Sequence, residues 1–237
     1  GVGEYVAACL AGVFSLPDAL AIVATRAKLI AKMPRGGLMA VPLSEKDCQP
    51  LLGESVHVAI TSSPKQTILA GTPTSLEEVQ LSLKAKGIVA RALPGSHAYH
   101  SPMLSPVSEH LERHLNLVKL KKASIPVISN LTGKPLLESE ATRPDYWSQH
   151  TCSTVRFYEG LSFLLQSGDM DLLEVGPGRS LGSFAMQHPL YNKTGIHNML
   201  STISGKWENL SDERVFLDSR GVFHLLGHNS VPGCVRS

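Results

Sequence analysis

Two segments of the chain carry side chains suited to anion binding and proton transfer. Arg26 lies at helical spacing among apolar residues, and its planar guanidinium can grip a carboxylate with two hydrogen bonds. The alternative is an arginine that reaches out to solvent. His97 and His100 belong to the sequence His-Ala-Tyr-His-Ser-Pro, in a loop before a predicted helix. A histidine placed there is suited to general-base catalysis, because histidine titrates near neutral pH, and ordinary surface histidines are the alternative.

Two glycine-containing segments are further candidates. The first residues, Gly1-Val2-Gly3-Glu4-Tyr5, match the second half of a nucleophile elbow, G-x-S-x-G, with Gly1 at the position of the serine. Residues 173–178, Leu-Glu-Val-Gly-Pro-Gly, form a strand-to-helix turn, for which a purely structural corner is the favoured interpretation. The polar turn at residues 62–64 needs no functional explanation.

These candidates must be positioned by regular elements, and the first third of the chain predicts them clearly. A short helix is expected at residues 3–11, and a second from Ser15, an N-cap with Asp18 as the capping acid, to about Met33. Strands are predicted at 38–43, 55–61, 67–70 and 88–93, and helices at 44–52 and 75–86. The order β-α-β-β-α-β is that of a ferredoxin-like unit, so residues 35–96 are predicted to form a small inserted subdomain.

The rest of the chain predicts an α/β fold with a parallel sheet. Helices expected at 103–115, 156–166 and 179–187 alternate with strands at 125–129 and 172–175. Such alternation implies parallel strands with the chemistry at their carboxyl ends. Residues 1–34 and 97–198 are therefore predicted to form one large subdomain. Residues 199–237 are more polar and irregular, as expected of a linker.

Composition excludes several classes of protein. A net charge of +2 is too small to indicate a nucleic-acid surface, and the ten histidines lack metal-site spacing. The apolar segment 5–16 is too short to span a membrane and no basic leader precedes it. A soluble cytoplasmic protein is therefore expected. Four cysteines without motif spacing are read as free thiols, namely Cys9, Cys48, Cys152 and Cys234.

Taken in order, these segments resemble the acyltransferase domains of modular polyketide synthases and, more distantly, the malonyl transacylases of fatty-acid synthesis. The family's elbow, Gly-His-Ser-x-Gly-Glu-Tyr, is matched by Gly3-Glu4-Tyr5, with Gly1 at the position of the serine. The family's carboxylate-binding arginine, twenty-five residues after the serine, falls on Arg26. The family's His-Ala-Phe-His-Ser matches residues 97–101, with Tyr99 for phenylalanine. Further matches are Tyr146-Trp147, His150, Val155-Arg156-Phe157 and residues 173–178.

The resemblance implies a two-step transfer of a malonyl group. A serine activated by His100 attacks malonyl-CoA, and the phosphopantetheine thiol of an acyl carrier protein then takes the acyl group. Arg26 is expected to hold the free carboxylate, and the backbone carbonyl of His150 to orient His100. The Val2 N–H is expected to help stabilise the oxyanion. No bound cofactor or metal is implied, and neither nucleic acid nor membrane is an expected partner. The adjacent ketosynthase domain and its linker are expected partners.

The resemblance also favours malonyl over methylmalonyl. The family's His-Ala-Phe-His accompanies malonyl selection, and here His97 and Tyr99 give the same form with one added hydroxyl. The ring of Tyr99 is expected to fill the space that an α-methyl group needs. Val2 also suits the malonyl group, and Ser62, where asparagine is usual, is counted with the substrate-binding residues.

The departures from the family concern the nucleophile. Gly1 stands at the serine position, and the implied α/β-hydrolase-like large subdomain is incomplete before it, including the segment that completes the oxyanion hole. A fragment of a longer synthase is the favoured explanation. The alternative is an inactive domain that only docks a carrier protein or braces its neighbours. A serine hydrolase with the same elbow is a third hypothesis, although it does not require Arg26.

Overall fold

The structure, a computed structural model, describes residues 1–205 and 209–228. The chain divides into two compact units, Gly1–Phe163 and Leu164–Ser237. The first unit contains the predicted inserted segment 35–96 together with the residues on both sides of it. The mixture of helices and strands is the expected α/β composition.

Two helices open the first unit, α1 (Val2–Leu10) and α2 (Leu16–Ile30). The Ser15 hydroxyl accepts a hydrogen bond from the Asp18 N–H, as the capping pattern predicts. α2 ends at Ile30, about one turn earlier than expected, and two turn-type hydrogen bonds follow, from Lys32 to Leu29 and from Met33 to Ile30.

An antiparallel four-stranded sheet follows, with the strand order β2-β3-β1-β4. Its elements are β1 (Gly37–Val41), α3 (Glu45–Cys48), β2 (Val56–Ser63), β3 (Gln66–Gly71), α4 (Pro73–Ala85) and β4 (Arg91–Leu93). Leu69 and Met39 of the sheet are buried together with Leu76 and Leu83 of α4. The predicted order of elements in this segment is confirmed. With Thr72 as its N-cap, α4 begins slightly before the predicted start at residue 75, and β4 is shorter than expected.

The chain enters and leaves this segment side by side. The Gly36 N–H donates to the Ser96 carbonyl over 3.1 Å. A Cβ atom on Gly36 would lie 2.6 Å from the backbone nitrogen of Ala98, closer than real Cβ atoms approach. A side chain at position 36 would therefore push apart the two backbone segments that meet there, and the segment at Ala98 leads directly to His100.

The remaining helices of the first unit surround a second core. They are α5 (Ser105–Leu115), α6 (Glu138–Ala141) and α7 (Pro144–Gln149), and α8 (Phe157–Leu165) follows them in the chain. Trp147 is fully buried and packs edge-on against Phe14. The indole N–H donates to the Ala141 carbonyl over 2.8 Å. The core therefore ties α1 and α2 to α5 and α7.

The strand predicted at 125–129 is absent. Its residues make an isolated bridge between Ile128 and Pro135 and local backbone hydrogen bonds, which include those from the Leu136 N–H to Val127 and from the Ser129 N–H to Lys134. Pro126, in the middle of the segment, has no N–H to give to a strand ladder. The segment is therefore a partly buried loop, in which Val127 and Ser129 are buried and Ile125 is exposed.

The second unit contains a two-stranded parallel sheet, β5 (Met170–Pro177) and β6 (His197–Ile203), with Leu172 opposite Met199. Two helices accompany it, α9 (Ser180–Met186) and α10 (Asp212–Leu225). The expectation that the chain is irregular from residue 199 is wrong, because that boundary falls inside β6 and α10 follows. The Ser211 hydroxyl caps α10 by accepting from the Arg214 N–H. Residues 206–208 and 229–237 of the predicted linker, with Cys234, lie outside the described residues.

Candidate functional site

His100 lies in the loop before α5, where hydrogen bonds hold both its backbone N–H and its ring. Its φ angle is 59°, in the left-handed region that non-glycine residues seldom adopt. The His100 N–H donates to the Thr151 carbonyl over 3.1 Å, and ring Nδ1 donates to the His150 carbonyl over 2.9 Å. Because Nδ1 carries the proton, Nε2 presents a lone pair.

Gly1 faces that lone pair. A Cβ atom built on Gly1 would lie 3.8 Å from Nε2 of His100. Gly1 is the N-cap of α1, and Val2, the first helical residue, is half-exposed with its N–H at the helix start. An oxygen on that Cβ would come within hydrogen-bond reach of Nε2, beside backbone N–H groups at the positive end of a helix dipole.

His100 is uncharged at neutral pH. Burial lowers the pKa of His100 to about 3, and the positive charge of Arg26 acts in the same direction. The imidazole is therefore in the form that accepts a proton.

Arg26 is buried on the inner side of α2, with 7% of its surface exposed. This excludes the arginine that reaches out to solvent. Its Nε donates to Oγ1 of Thr151 over 3.4 Å, and no carboxylate among residues 1–205 and 209–228 lies within ion-pair distance of it. A buried cation without an anion is costly, so the position is suited to an anionic ligand.

His97 and Tyr99 are held by their own loop. His97 Nδ1 is 2.8 Å from the Ser96 hydroxyl and Nε2 is 3.2 Å from the Met33 carbonyl, so both ring nitrogens have protein partners. The Tyr99 ring packs on a small apolar cluster that includes Leu104 and meets the His97 ring edge-on, 6.0 Å between centroids. His97 therefore fixes the loop that carries Tyr99 and His100.

Ser62 lies in β2 and is buried. Its hydroxyl donates to the Gln66 carbonyl over 2.9 Å, across the β2–β3 hairpin. Within the described part of the chain, no hydrogen bond joins Ser62 to the other predicted site residues. The hydrogen bond of the Ser62 hydroxyl is therefore made within the hairpin.

His150 belongs to a buried polar network that the sequence did not predict. Its ring stacks on Trp147, and Nε2 lies 3.2 Å from Oε1 of Glu4 without the alignment of a hydrogen bond. Glu4 also accepts from the Tyr146 hydroxyl over 2.7 Å and from the Asn130 N–H over 2.9 Å. Burial acts to raise the pKa of Glu4, but His150, Tyr146 and Asn130 hold that pKa below its usual value.

His150 itself stays neutral beside this carboxylate. Burial lowers the pKa of His150, and the opposing attraction to Glu4 does not overcome the effect. The pair is therefore a carboxylate facing a neutral imidazole. Glu4 and Thr151 are the two residues that sequence reasoning missed, and only the Gly-Glu-Tyr match gave any signal for Glu4.

Residues 1–205 and 209–228 contain neither a metal-binding cluster nor a membrane-spanning helix. No group of three or more His, Cys, Asp or Glu side chains there is arranged to hold a metal ion. None of the helices formed by those residues is both long and apolar enough to cross a membrane.

Comparisons with known proteins match this geometry to one family. The family model of the acyl transferase domain matches residues 1–230. One protein of the phenolphthiocerol/phthiocerol polyketide synthase of Mycobacterium tuberculosis is 31% identical over 219 residues, which are 92% of this chain and 15% of that protein. The chain thus spans a small part of this relative's length.

Solved structures give the same result. The acyl transferase domain of SpnD, crystallised with 2-(pent-4-yn-1-yl)malonyl, matches with a TM-score of 0.86 and 32% identity over 94% of this chain and 53% of that one. The malonyl CoA-acyl carrier protein transacylase of Clostridium perfringens matches with a TM-score of 0.78 and 25% identity, over 96% and 71% of the two chains. The chain therefore belongs to the acyltransferase domain family, in the form found in type I polyketide synthases.

Proposed function

We propose that this chain is part of an acyltransferase domain that moves a malonyl group from malonyl-CoA to the phosphopantetheine thiol of an acyl carrier protein. The observation that carries the proposal is the 3.8 Å separation between a Cβ at position 1 and Nε2 of His100. A serine at position 1 would place its hydroxyl next to a neutral imidazole whose other nitrogen is already bound.

The first half-reaction follows from that geometry. The serine hydroxyl gives its proton to Nε2 of His100 and attacks the thioester carbonyl, and the oxyanion forms near the N–H of Val2. When the intermediate collapses, the carbon–sulfur bond breaks and coenzyme A leaves as a thiol with the proton from His100. A malonyl ester on the serine remains.

The second half-reaction reverses these roles. The phosphopantetheine thiol gives its proton to His100 and attacks the serine ester. The carbon–oxygen bond to serine breaks, and the proton returns to the serine oxygen. Throughout, the His150 carbonyl keeps the proton of Nδ1 in place, so that Nε2 is always the nitrogen that exchanges protons.

Arg26 is proposed to select the extender. A bound malonyl group offers a free carboxylate, which would pair with the buried guanidinium, whereas an acetyl group offers none. Tyr99 is proposed to reject an α-methyl group, since its ring is held by the apolar cluster and by His97 and cannot easily turn away. Val2, His97 and Ser62 are proposed to shape the same substrate site.

The chain is proposed to consist of two subdomains. We assign residues 35–96 to a ferredoxin-like inserted subdomain, supported by the element order and the antiparallel strand order β2-β3-β1-β4. Residues 1–34 and 97–198 are assigned to an α/β-hydrolase-like large subdomain, supported by the parallel pairing of β5 and β6. The ketosynthase and linker as neighbours, and the cytoplasm as location, remain predictions.

Gly1 is proposed to mark a fragment of an active synthase. A chain with glycine at this position cannot form the serine ester, and losing such a nucleophile costs many orders of magnitude in rate. The alternative is an inactive domain that docks a carrier protein. Sequencing the parent gene separates the two: a serine codon at this position supports the fragment, and a glycine codon preceded by a complete domain refutes it.

Activity is tested with a full-length version of the domain that carries Gly1→Ser. The protein is incubated with radiolabelled malonyl-CoA, with and without carrier protein, and a His100→Gln variant serves as the matched control. Label on the carrier protein that depends on His100 supports the proposal. Release of free malonate regardless of carrier supports a hydrolase, and absence of label supports the docking module.

A further inference from the structure

Glu4 occupies an unusual position for a buried carboxylate. It is the third residue of α1 after the N-cap Gly1, where a glutamate commonly folds back to cap its own helix. Here the side chain turns inward instead, and only 5% of the residue is exposed. Since burying a carboxylate is costly, the contacts that hold it must be specific.

Those contacts lead to the proposed base by a short route. Oε1 of Glu4 lies 3.2 Å from Nε2 of His150, and the carbonyl of His150 lies 2.9 Å from Nδ1 of His100. The opposite nitrogen of His100 faces the Cβ position of residue 1. Both ends of this path, Glu4 and position 1, therefore lie at the first turn of α1.

Two other groups hold the Glu4 carboxylate, one at each oxygen. The Asn130 N–H binds Oε2, and the Tyr146 hydroxyl binds Oε1 and also lies 2.6 Å from the Ser129 hydroxyl. The ring of His150 is enclosed by the rings of Tyr5, Tyr146 and Trp147. The Glu4 carboxylate and the His150 ring are thus each held in place, 3.2 Å apart.

We propose that Glu4 is a positioning residue for His100, acting through His150. Its carboxylate fixes the His150 ring, and with it the carbonyl that keeps the His100 proton on Nδ1. Because Glu4 and the nucleophile position share one helical turn, a movement of α1 carries the anchor of the base together with the nucleophile. The proposal rests on the proposed function for its catalytic meaning.

The first test reads the His100 tautomer directly. The chain is labelled with ¹⁵N-histidine, and the ring nitrogens are assigned by NMR in the natural chain, in Glu4→Gln and in the exposed-site control Glu109→Gln. Glutamine replaces one carboxylate oxygen with an NH2 group and removes the charge, so either the Asn130 N–H loses its acceptor or the His150 ring loses the charged oxygen 3.2 Å away. The signal of Nδ1-protonated His100 should therefore weaken and an Nε2-protonated signal should appear. The control should leave the spectrum unchanged.

Tyr146→Phe keeps the proposal testable if Glu4→Gln does not fold. Removing that hydroxyl loosens the carboxylate without changing its charge, so a smaller change of tautomer in the same direction is expected. An unchanged His100 tautomer in whichever of these variants folds would overturn the proposal.

A kinetic test is made in the full-length Gly1→Ser version. Glu4→Gln should lower kcat roughly tenfold, as expected for one lost interaction with a charged group, and leave KM for malonyl-CoA nearly unchanged. A raised KM with unchanged kcat would contradict the proposal. If Gly1→Ser transfers nothing while the tautomer still depends on Glu4, the proposed function fails and the positioning role stands.

Discussion

Arg26 and Thr151 are joined in the interior of the first unit by a hydrogen bond from Nε to Oγ1, over 3.4 Å. The same threonine accepts the backbone N–H of His100 through its carbonyl. One buried residue therefore fixes the anion-binding candidate and the proposed base. With Nε occupied, the two terminal nitrogens of the guanidinium are the donors that a carboxylate would meet.

Replacing Arg26 should remove malonyl transfer selectively. In the full-length Gly1→Ser version, Arg26→Ala is expected to lower kcat/KM for malonyl-CoA by about 100-fold or more, because two charge-assisted hydrogen bonds are lost. Transfer of acetyl from acetyl-CoA should change much less. Lys28→Ala, on the exposed side of α2, is the matched control. Equal losses for both substrates would contradict a carboxylate clamp.

Tyr99 should control the size of the extender. Tyr99→Ser removes the ring, and the ratio of malonyl to methylmalonyl transfer is expected to fall about tenfold, the usual discrimination for one methyl group. The ratio is measured with both substrates competing in one reaction. Tyr99→Phe keeps the ring and should keep the natural ratio, so a loss of preference in both variants would point to the hydroxyl instead.

The buried site should make the fold sensitive to acid. Burial lowers the pKa of His100 to about 3 from an ordinary value of 6.5, and the pKa values of His150 and Glu4 are also lowered. Protons therefore favour the unfolded chain, and the stabilisation present above pH 6.5 is lost as the pH falls towards 3. For each such group, the free energy of unfolding falls by at most about 1.4 kcal/mol per pH unit.

This dependence is measured from urea unfolding at several pH values. His100→Gln should flatten the fall in the free energy of unfolding, since one of the three groups is gone. His110→Gln, at an exposed position of α5, should retain the natural slope. Parallel slopes for the natural chain and His100→Gln would show that His100 is not buried in its neutral form.

Trp147 should be a main support of the first unit. Trp147→Phe removes the indole N–H and leaves the Ala141 carbonyl without its partner, at a cost of about 1–3 kcal/mol plus a cavity contribution. Leu117→Ala, at a residue that is 86% exposed, should change stability by less than about 0.5 kcal/mol. Both are measured by urea unfolding at neutral pH, and equal effects would contradict the burial of the indole.

Local signals in the sequence predicted much of this fold. Ser15 with Asp18 marked the start of α2, and the alternation in residues 35–96 marked every element of the antiparallel sheet in order. β6 was missed because a parallel strand lacks the simple alternation of an exposed sheet. The segment 125–129 was misassigned because its apolar residues outweighed the effect of Pro126.

The site was predictable only where chemistry depends on one residue type at a fixed spacing. Arg26, His100 and His150 were assigned roles through the family resemblance. In the structure Arg26 and His100 both hydrogen-bond to Thr151, and His100 also hydrogen-bonds to His150, the residue before it. Glu4 was not assigned a role, because an acid at the start of a helix ordinarily caps it. That Glu4 is buried against His150 depends on contacts between residues 146 positions apart, which no local pattern contains.

The two-stranded sheet of the second unit has a consequence for handling the protein. Among the described residues, β5 and β6 pair only with each other, so each has an outer edge along which no strand is paired. Val175 at 74% and Ile196 at 68% exposure add apolar surface near these edges. Such edges recruit further strands, so this chain should self-associate as it is concentrated, and its elution volume should depend on the amount loaded.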